Sequence, residues 1–264
     1  MPRSTALRNG WKVIRTRWID INKGTARDPC YRSRFVAKEF NTGAEEGLFA
    51  ATPPLEAVRL LLSDVATVRK TQPVQERVVM LNDVARAFFE APVQRLVCVE
   101  LPPEARVDGE DCVGFLQKSL YGTRDAAANF QAEVRSFMLR FGFKQSPYSP
   151  SVFFHPGRDL RTLVHGDDFM TSGSRNDIRW FNEALRARFE IKTVVVGTGV
   201  GEFGEGRILN RTIRVTPDGW EYEADPQHVV KIVQELGLTA ANGVKSPGAV
   251  SSCLLYTSPS PRDS

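Results

Sequence analysis

Three aspartates stand where apolar segments of the sequence end. Asp83 follows a short apolar run at 78–81, and the adjacent Asp167 and Asp168 stand between two apolar runs that predict a tight hairpin. Carboxylates this close raise one another's pKa unless a cation, usually a divalent metal, neutralises them. Mg²⁺ prefers one or two carboxylates with waters and phosphates, and a third carboxylate from another strand would complete a two-metal site for phosphoryl transfer. Because Asp also favours turns for its own backbone hydrogen bonds, the pair alone leaves a plain turn as the alternative.

A basic hairpin is predicted near the start of the chain. Residues 11–21 and 31–40 contain aromatic and β-branched residues in partial alternation, and a turn-forming sequence follows the first segment at 22–24. Basic residues recur at alternate positions in both segments, and they are Arg15, Arg17, Arg32, Arg34 and Lys38. Since alternate side chains share one face of a strand, the pattern predicts a single basic face.

The remaining pattern predicts a mixed α+β domain. Helical spacing of apolar residues is found at 54–68, 126–141, 176–189 and 226–236. Short strands are predicted at 78–81, 97–101, 151–154, 160–164, 194–196, 208–215 and 220–222. Hairpins and helices alternate irregularly, which indicates an α+β arrangement rather than repeated βαβ units.

Composition limits the class of protein. With 264 residues and a hydrophobic fraction of 42%, the chain can form one large domain or two small lobes with a packed core. Its 35 basic and 31 acidic residues give a net charge of +4, which permits a nucleic-acid partner without requiring one. The cysteines at 30, 98, 112 and 253 lack CxxC spacing and are expected to be reduced in an intracellular protein. No apolar run suits a membrane span, so no membrane partner is expected.

Six blocks of sequence, taken in order, resemble a known family. They are YRSRFVAKEF (31–40), LFAATPPLEAVRLLL (48–62), NDVARAFFEAP (82–92), LQKSLYGTRDAAANF (116–130), VHGDDFM (164–170) and FEIK (189–192). In order and spacing, the chain from Trp11 to about Pro247 resembles the reverse transcriptase domain of Ty1/copia-type retrotransposons. The resemblance implies an α+β fold of the right-handed polymerase type, with palm and fingers and an antiparallel palm sheet backed by helices.

The resemblance also implies where the parts of this domain lie. The reverse transcriptase domain is expected over 1–252, whereas 253–264 resembles a translated sequencing-library adapter and is excluded from the fold. The expected parts are fingers at about 11–80 and 95–130, a palm at about 81–94 and 131–215, and the start of a thumb or connection at 216–252.

The resemblance assigns the chemistry to particular residues. It makes Asp83, Asp167 and Asp168 the catalytic carboxylates and the ligands of two Mg²⁺ ions, with Mn²⁺ also possible. Phe88 matches an aromatic position that blocks a ribose 2′-OH, because a rigid ring under the sugar admits deoxyribose and clashes with ribose. Packing of Phe88 in the core is the alternative.

Further residues are expected to contact substrate. Arg34 and Lys38 would bind the phosphates of an incoming triphosphate or of the template, and the alternative is a solvated basic face. The block that holds Lys118, Tyr121 and Gly122 would lie against the templating base pair.

The activity implied by the resemblance is that of an RNA-directed DNA polymerase from a Pol polyprotein. Such an enzyme adds deoxynucleoside triphosphates (dNTPs) to a primer 3′-OH on an RNA or DNA template. RNase H and integrase segments would accompany it in an intact element, in a cytoplasmic virus-like particle or in the nucleus. The alternative is a decayed fragment that binds nucleic acid and no longer polymerises.

Departures from the family pattern and competing motifs qualify this hypothesis. His165 and Gly166 replace the family's Tyr-Val, and Asp125 replaces a Gln that would contact substrate. Gly166-Asp167-Asp168 also matches RNA-dependent RNA polymerases, but these need a polar group at the position of Phe88.

The glycine-rich stretch 199–204 matches GxGxxG, yet a strand-like sequence follows it instead of the helix of a dinucleotide-binding unit. A glycine-rich hairpin is therefore predicted there.

Overall fold

The computed structural model describes residues 1–40, 48, 50–67, 77–106 and 109–243. The chain divides into two compact units, Met1–Glu223 and Ala224–Ser264. The adapter-like tail expected at 253–264 lies outside the described residues. Within the described part, no helix combines the length and apolar character that a membrane span requires.

Helices and strands alternate irregularly along the chain. The helices are α1 (Arg3–Arg8), α2 (Leu55–Ala66), α3 (Ala126–Arg140), α4 (Arg175–Arg188) and α5 (Pro226–Glu235). The strands are β1 (Lys12–Ile14), β2 (Thr16–Asn22), β3 (Tyr31–Ala37), β4 (Arg77–Val84), β5 (Val97–Glu100), β6 (Val113–Phe115), β7 (Lys144–Gln145), β8 (Val152–His155), β9 (Leu160–His165), β10 (Asp168–Ser174), β11 (Ile191–Val196), β12 (Glu205–Ile208), β13 (Arg211–Thr216) and β14 (Gly219–Glu223). Short 3-10 turns lie at Ala87–Glu90 and Pro103–Ala105.

The central sheet has six strands in the order β11-β4-β10-β9-β8-β7, and each neighbouring pair is antiparallel. In β4, Val78 and Met80 lie in a hydrophobic cluster with residues of α3 and α4, whereas Val79 and Leu81 lie in a second cluster with residues of α2. Helices thus cover both faces of β4, which explains its almost continuous apolar sequence. The expected α+β fold with an antiparallel sheet backed by helices is confirmed.

The predicted hairpin forms between β2 and β3, which pair in antiparallel register. It differs from the sequence prediction in two respects. The first strand is interrupted at Arg15, so that β1 pairs in parallel with β5 in a separate three-stranded sheet. The connection between β2 and β3 spans 23–30 and is longer than the predicted turn.

The glycine-rich stretch 199–204 joins two sheets. The strand β12 follows it rather than a helix, so the dinucleotide-binding alternative has no structural support in this segment. The predicted hairpin is wrong in its pairing, because β12 pairs with β13, and β14 completes a three-stranded sheet. The expected boundary at 216 stays a prediction, and the first compact unit continues to Glu223.

The second unit contains α5. Its first turn is capped by the Asp225 carboxylate, which accepts a hydrogen bond from the Gln227 backbone N–H at 2.9 Å. Cys30, Cys98 and Cys112 are free thiols in the described part of the chain.

Candidate active site

The three aspartates meet at one end of the central sheet. Asp83 near the end of β4 is the direct cross-strand partner of Asp168 at the start of β10, and such partners share one face of an antiparallel pair. The backbone N–H of Val84 donates a hydrogen bond to the Asp167 carbonyl at 2.9 Å. The structure thus places Asp83 next to the Asp167–Asp168 pair at one end of the sheet, although they are distant in sequence.

A two-residue turn holds the paired aspartates. His165 and Asp168 are the last partners of the β9–β10 hairpin, so Gly166 and Asp167 form the turn between them. Gly166 has a φ of +61°, the value for the first central residue of a type II′ turn, which favours glycine. The glycine that departs from the family pattern is therefore suited to its backbone position.

Repulsion and burial act together on Asp168. Burial in the sheet, followed by the charges of Asp167 and Asp83, raises the pKa of Asp168 to about 6. His165 acts in the opposite direction with a smaller effect. No arginine or lysine of the described residues forms a salt bridge with any of the three aspartates, whereas Asp64, Glu39, Glu133 and Glu205 each form one with an arginine. The site therefore has oxygen donors and negative charge that no salt bridge in the described part of the chain neutralises.

The donor set suits a hard divalent cation that brings other ligands with it. Within the described residues, no three His, Cys, Asp or Glu side chains are close enough to hold a metal ion by themselves. Mg²⁺ does not need such a cage, because it retains waters and binds substrate phosphates beside one or two carboxylates. Asp83, Asp167 and Asp168 fit this partial role, and metal binding by them stays a prediction.

Phe88 lies beside the carboxylate turn. It belongs to a 3-10 turn that follows Arg86, whose φ is +54°. The Phe88 ring is 4.7 Å from the ring of Tyr121 and 6.5 Å from that of Phe130, measured between centroids. Phe88 and Gly166 line a cavity of about 80 Å³. The ring is half-buried and packs against the hydrophobic cluster that contains Phe130.

Tyr121 connects the carboxylates with the basic hairpin. Burial first, and then the charge of Asp167, raises the pKa of the Tyr121 hydroxyl, while Arg34 and Arg32 act to lower it. The Arg34 guanidinium carbon lies 5.9 Å from the Tyr121 ring centroid. The hairpin cations and the site carboxylates therefore shift the pKa of the same hydroxyl in opposite senses.

The predicted basic face agrees with the β2–β3 register. Arg17 pairs with Val36, Ile19 with Arg34, and Ile21 with Arg32. The Lys38 N–H bonds to the Arg15 carbonyl at 2.7 Å, which continues the same register. The residues on this face are Arg15, Arg17, Arg32, Arg34 and Lys38. None of them forms a salt bridge with a carboxylate in the described part, so the face can accept an external anion.

The segment that contains Lys118 packs closely on the end of the hairpin. Lys118 Nζ donates to the Glu90 carbonyl at 3.4 Å. The Ala37 N–H bonds to the Tyr121 carbonyl at 2.7 Å. Gly122 has a φ of +85°, and a Cβ atom at this position would lie 2.0 Å from the Ala37 carbonyl oxygen. Glycine is thus required for backbone contact, and substrate binding by Lys118, Tyr121 and Gly122 stays a prediction.

The observed environment of Asp125 differs from the substrate contact that the sequence suggested for this position. Asp125 is buried, and its carboxylate bonds to Arg95 at 2.8 Å and to Asn129 at 3.0 Å. It is a partner in a charge network that also includes Glu39, instead of a free charge at a substrate contact. A buried acid needs a cation, but the sequence did not indicate which basic residue would supply it.

Two basic residues near the carboxylates were also missed. Lys192 is the cross-strand partner of Asp83, and it lines a pocket with Arg207, Asp83 and Asp168. The FEIK block contained Lys192, but only the position of β11 beside β4 places this lysine at the site.

A family model described as reverse transcriptase (RNA-dependent DNA polymerase) matches residues 4–249. The chain belongs to this family. Curated relatives of this reverse transcriptase include the retrovirus-related Pol polyproteins from transposons RE2 and RE1 of Arabidopsis thaliana. They are 28% and 27% identical over 191 residues, which cover 68% of this chain and 12% of each relative. The chain therefore spans about an eighth of the length of these relatives, and it is a copia-type reverse transcriptase domain.

Solved structures similar to this reverse transcriptase include two telomerases, each at 10% sequence identity. Apo telomerase from Candida tropicalis, truncated from the C-terminal domain, has a TM-score of 0.47 over 81% of this chain and 55% of that chain. Telomerase from Candida albicans, in complex with a TWJ fragment of telomeric RNA, has a TM-score of 0.39 over 64% and 34%. Family membership and the observed sheet identify the α+β fold of this reverse transcriptase as a polymerase palm with fingers.

Proposed function

We propose that this reverse transcriptase domain adds dNTPs to a primer 3′-OH by two-metal phosphoryl transfer, with Asp83, Asp167 and Asp168 as the metal-binding carboxylates. The observation that carries the proposal is the meeting of these three aspartates at two adjacent strands, where none of them forms a salt bridge with a basic residue in the described part of the chain. When bound, two divalent ions would activate the 3′-OH and stabilise the leaving pyrophosphate.

The basic hairpin supplies the complementary charge. Arg34 and Lys38 would hold triphosphate oxygens or template phosphates, because they have no carboxylate partner in the described residues. Phe88 would lie under the sugar and exclude a 2′-OH. Orientation of the triphosphate between the hairpin and the carboxylates would limit its motion before reaction, which is a major source of rate enhancement.

The proposed partners follow from the reaction. They are dNTPs, a DNA primer and an RNA or DNA template, with the other Pol segments in an intact element. An intracellular site of action, in a particle or in the nucleus, is part of the same proposal.

The second candidate is a nucleic-acid-binding domain without polymerase activity. It is favoured by the structural use of Asp125 at a position where the family has a substrate contact.

One substitution separates the two candidates. Asp167→Asn keeps the shape of the side chain but removes a negative charge, so it should abolish Mg²⁺-dependent extension of a DNA primer on an RNA template. Affinity for the primer–template should change little, because cationic contacts with phosphates dominate such affinity and its dependence on salt. The measurements are single-nucleotide extension and equilibrium binding at several salt concentrations.

The matched control is Asp218→Asn, which removes the same charge from an exposed turn between β13 and β14. It should retain extension. A parent protein that binds the primer–template but never extends it would support the second candidate. Extension that survives Asp167→Asn would show that the carboxylate site has been assigned to the wrong residues.

A further inference from the structure

A buried charge network lies at the base of the basic hairpin. Arg95 binds both carboxylate oxygens of Glu39, with the Nη1–Oε1 distance at 2.8 Å, and its Nη2 is also 2.8 Å from Asp125 Oδ1. Lys12 Nζ lies 2.8 Å from Glu39 Oε1. The Glu39 side chain is only 1% exposed, so a bidentate arginine contact at this position is both strong and geometrically specific.

The same network fixes two backbone segments to each other. The Arg124 N–H donates to Glu39 Oε2 at 2.9 Å, and the Glu39 N–H donates to the Gly122 carbonyl at 3.3 Å. The Ala37 N–H bonds to the Tyr121 carbonyl. Residues 37–39 and 121–125 are therefore joined by backbone and side-chain contacts.

Proposed substrate-binding residues extend from both segments. Lys38 lies within the first segment, and Arg34 lies four residues before it on β3. Tyr121 lies in the second segment, with its ring against Phe88. A change in the network would thus move cationic groups and the Phe88–Tyr121 pair relative to each other.

The hairpin depends on such contacts for its orientation. Within the described residues, β2 and β3 pair only with each other. A two-stranded ribbon is marginally stable by itself in water, so its direction is set by the contacts at its base. Arg95 is the residue that connects both acidic members of this base.

We propose that Arg95, Glu39 and Asp125 are positioning residues that hold the basic hairpin at the distance from the carboxylates needed to bind the nucleoside triphosphate. This inference rests on the proposed polymerase function. It gives Asp125 a new part in nucleotide binding, exerted through Arg95 and the hairpin rather than by contact with substrate.

The test uses the full chain with an RNA template and a DNA primer. Arg95→Gln should raise the KM for the dNTP about tenfold or more while kcat stays within about threefold, because displacement of a positioning group by about 1 Å can cost up to about a hundredfold. Arg95→Lys keeps the charge but lacks the planar fork, so it should give an intermediate KM. Asp125→Asn keeps the side-chain shape and should raise KM less than Arg95→Gln.

The matched control is Arg214→Gln. Arg214 also binds three carboxylates, those of Glu205, Glu221 and Glu223, but it lies on the β12–β14 sheet. It should leave KM unchanged even if it lowers the thermal midpoint. Should Arg95→Gln fail to fold, Asp125→Asn and Arg95→Lys give the same comparison with smaller changes at the same contacts.

A second measurement does not need catalysis. With a dideoxy-terminated primer and the next complementary dNTP, the dNTP concentration at half-maximal ternary-complex formation should rise in the same order as KM. Unchanged values in Arg95→Gln and Asp125→Asn, with only lower thermal midpoints, would overturn the positioning role. A parent that forms this complex but does not extend a normal primer would contradict the polymerase function alone, and a parent that does neither would contradict both.

Discussion

At Asp168, burial and the negative charges of its neighbours act together to raise the pKa of the carboxyl. It is half-buried, with Asp167 beside it in sequence and Asp83 opposite it on β4. Removal of its charge should therefore relieve repulsion in the absence of metal. We expect Asp168→Asn to raise the thermal midpoint in EDTA by about 2–4 °C, which corresponds to ~1 kcal/mol in a domain of this size after allowance for solvent screening.

Thermal unfolding in EDTA and in excess Mg²⁺ measures this effect. The parent should gain stability from Mg²⁺, and Asp168→Asn should gain less, because a ligand that binds only the folded state stabilises it more when it binds more tightly. Asp20→Asn on the exposed hairpin serves as the control. A lower midpoint for Asp168→Asn in EDTA would contradict the repulsion described above.

Phe88 is observed in a packed position, and its role as a sugar filter stays a prediction. If the ring excludes a 2′-OH, Phe88→Val should increase ribonucleotide incorporation relative to deoxyribonucleotide by about tenfold or more, since a steric clash at one group is worth ~1–3 kcal/mol. The measurement is the ratio of kcat/KM for the two nucleotides. Phe89→Val is the control, because Phe89 also contacts the Tyr121 ring but is exposed. Unchanged discrimination with retained activity would leave Phe88 as a packing residue.

At the scale of elements, β3 and the segment before α3 approach each other without space for a side chain. Gly122→Ala places a Cβ atom against the Ala37 carbonyl and puts alanine in the left-handed region. We expect a loss of about 2–3 kcal/mol in the free energy of unfolding, as is usual for backbone strain combined with overpacking. Chemical denaturation measures the change.

The control for this substitution is Gly204→Ala. Gly204 has no atom within 4 Å of the position that a Cβ would occupy, and its φ is outside the left-handed region. It should change stability little. Equal losses from both substitutions would mean that Gly122 is not required for the contact between these segments.

At the scale of the whole molecule, placement of charge matters more than the net charge of +4. The basic face lies on the hairpin, the site aspartates lie at the end of the central sheet, and Glu39 lies at the base of the hairpin. Burial acts to raise the pKa of Glu39, but hydrogen bonds from Arg95 and Lys12 outweigh it and lower this pKa to about 2.

Acid stability should report this contact. A carboxyl whose pKa is lower in the folded state stabilises the fold above its unfolded pKa of about 4.5, and this contribution is lost as the pH falls towards about 2. The parent should therefore lose more free energy of unfolding over this interval than Glu39→Gln does. Urea denaturation at several pH values measures the difference, with Glu183→Gln as an exposed control. Parallel pH profiles for parent and Glu39→Gln would contradict the assigned contact.

The sequence by itself determined the family, the α+β class and the local elements. Six ordered blocks carried the family, and periodicity predicted α2, α3, α4 and the β2–β3 hairpin, because a buried face must recur at the period of its own helix or strand. The Gly-Asp turn was also readable, since adjacent apolar strands around a glycine leave few other conformations. These features depend on neighbours along the chain.

Only the tertiary structure decided which distant residues meet. The parallel pairing of β1 with β5, the position of Lys192 beside Asp83, and the contacts of Asp125 and Glu39 with Arg95 all join segments far apart in sequence. With 35 basic residues in the chain, a buried acid does not reveal its partner through local pattern. The partner is set by strand order and close packing, which are properties of the assembled core.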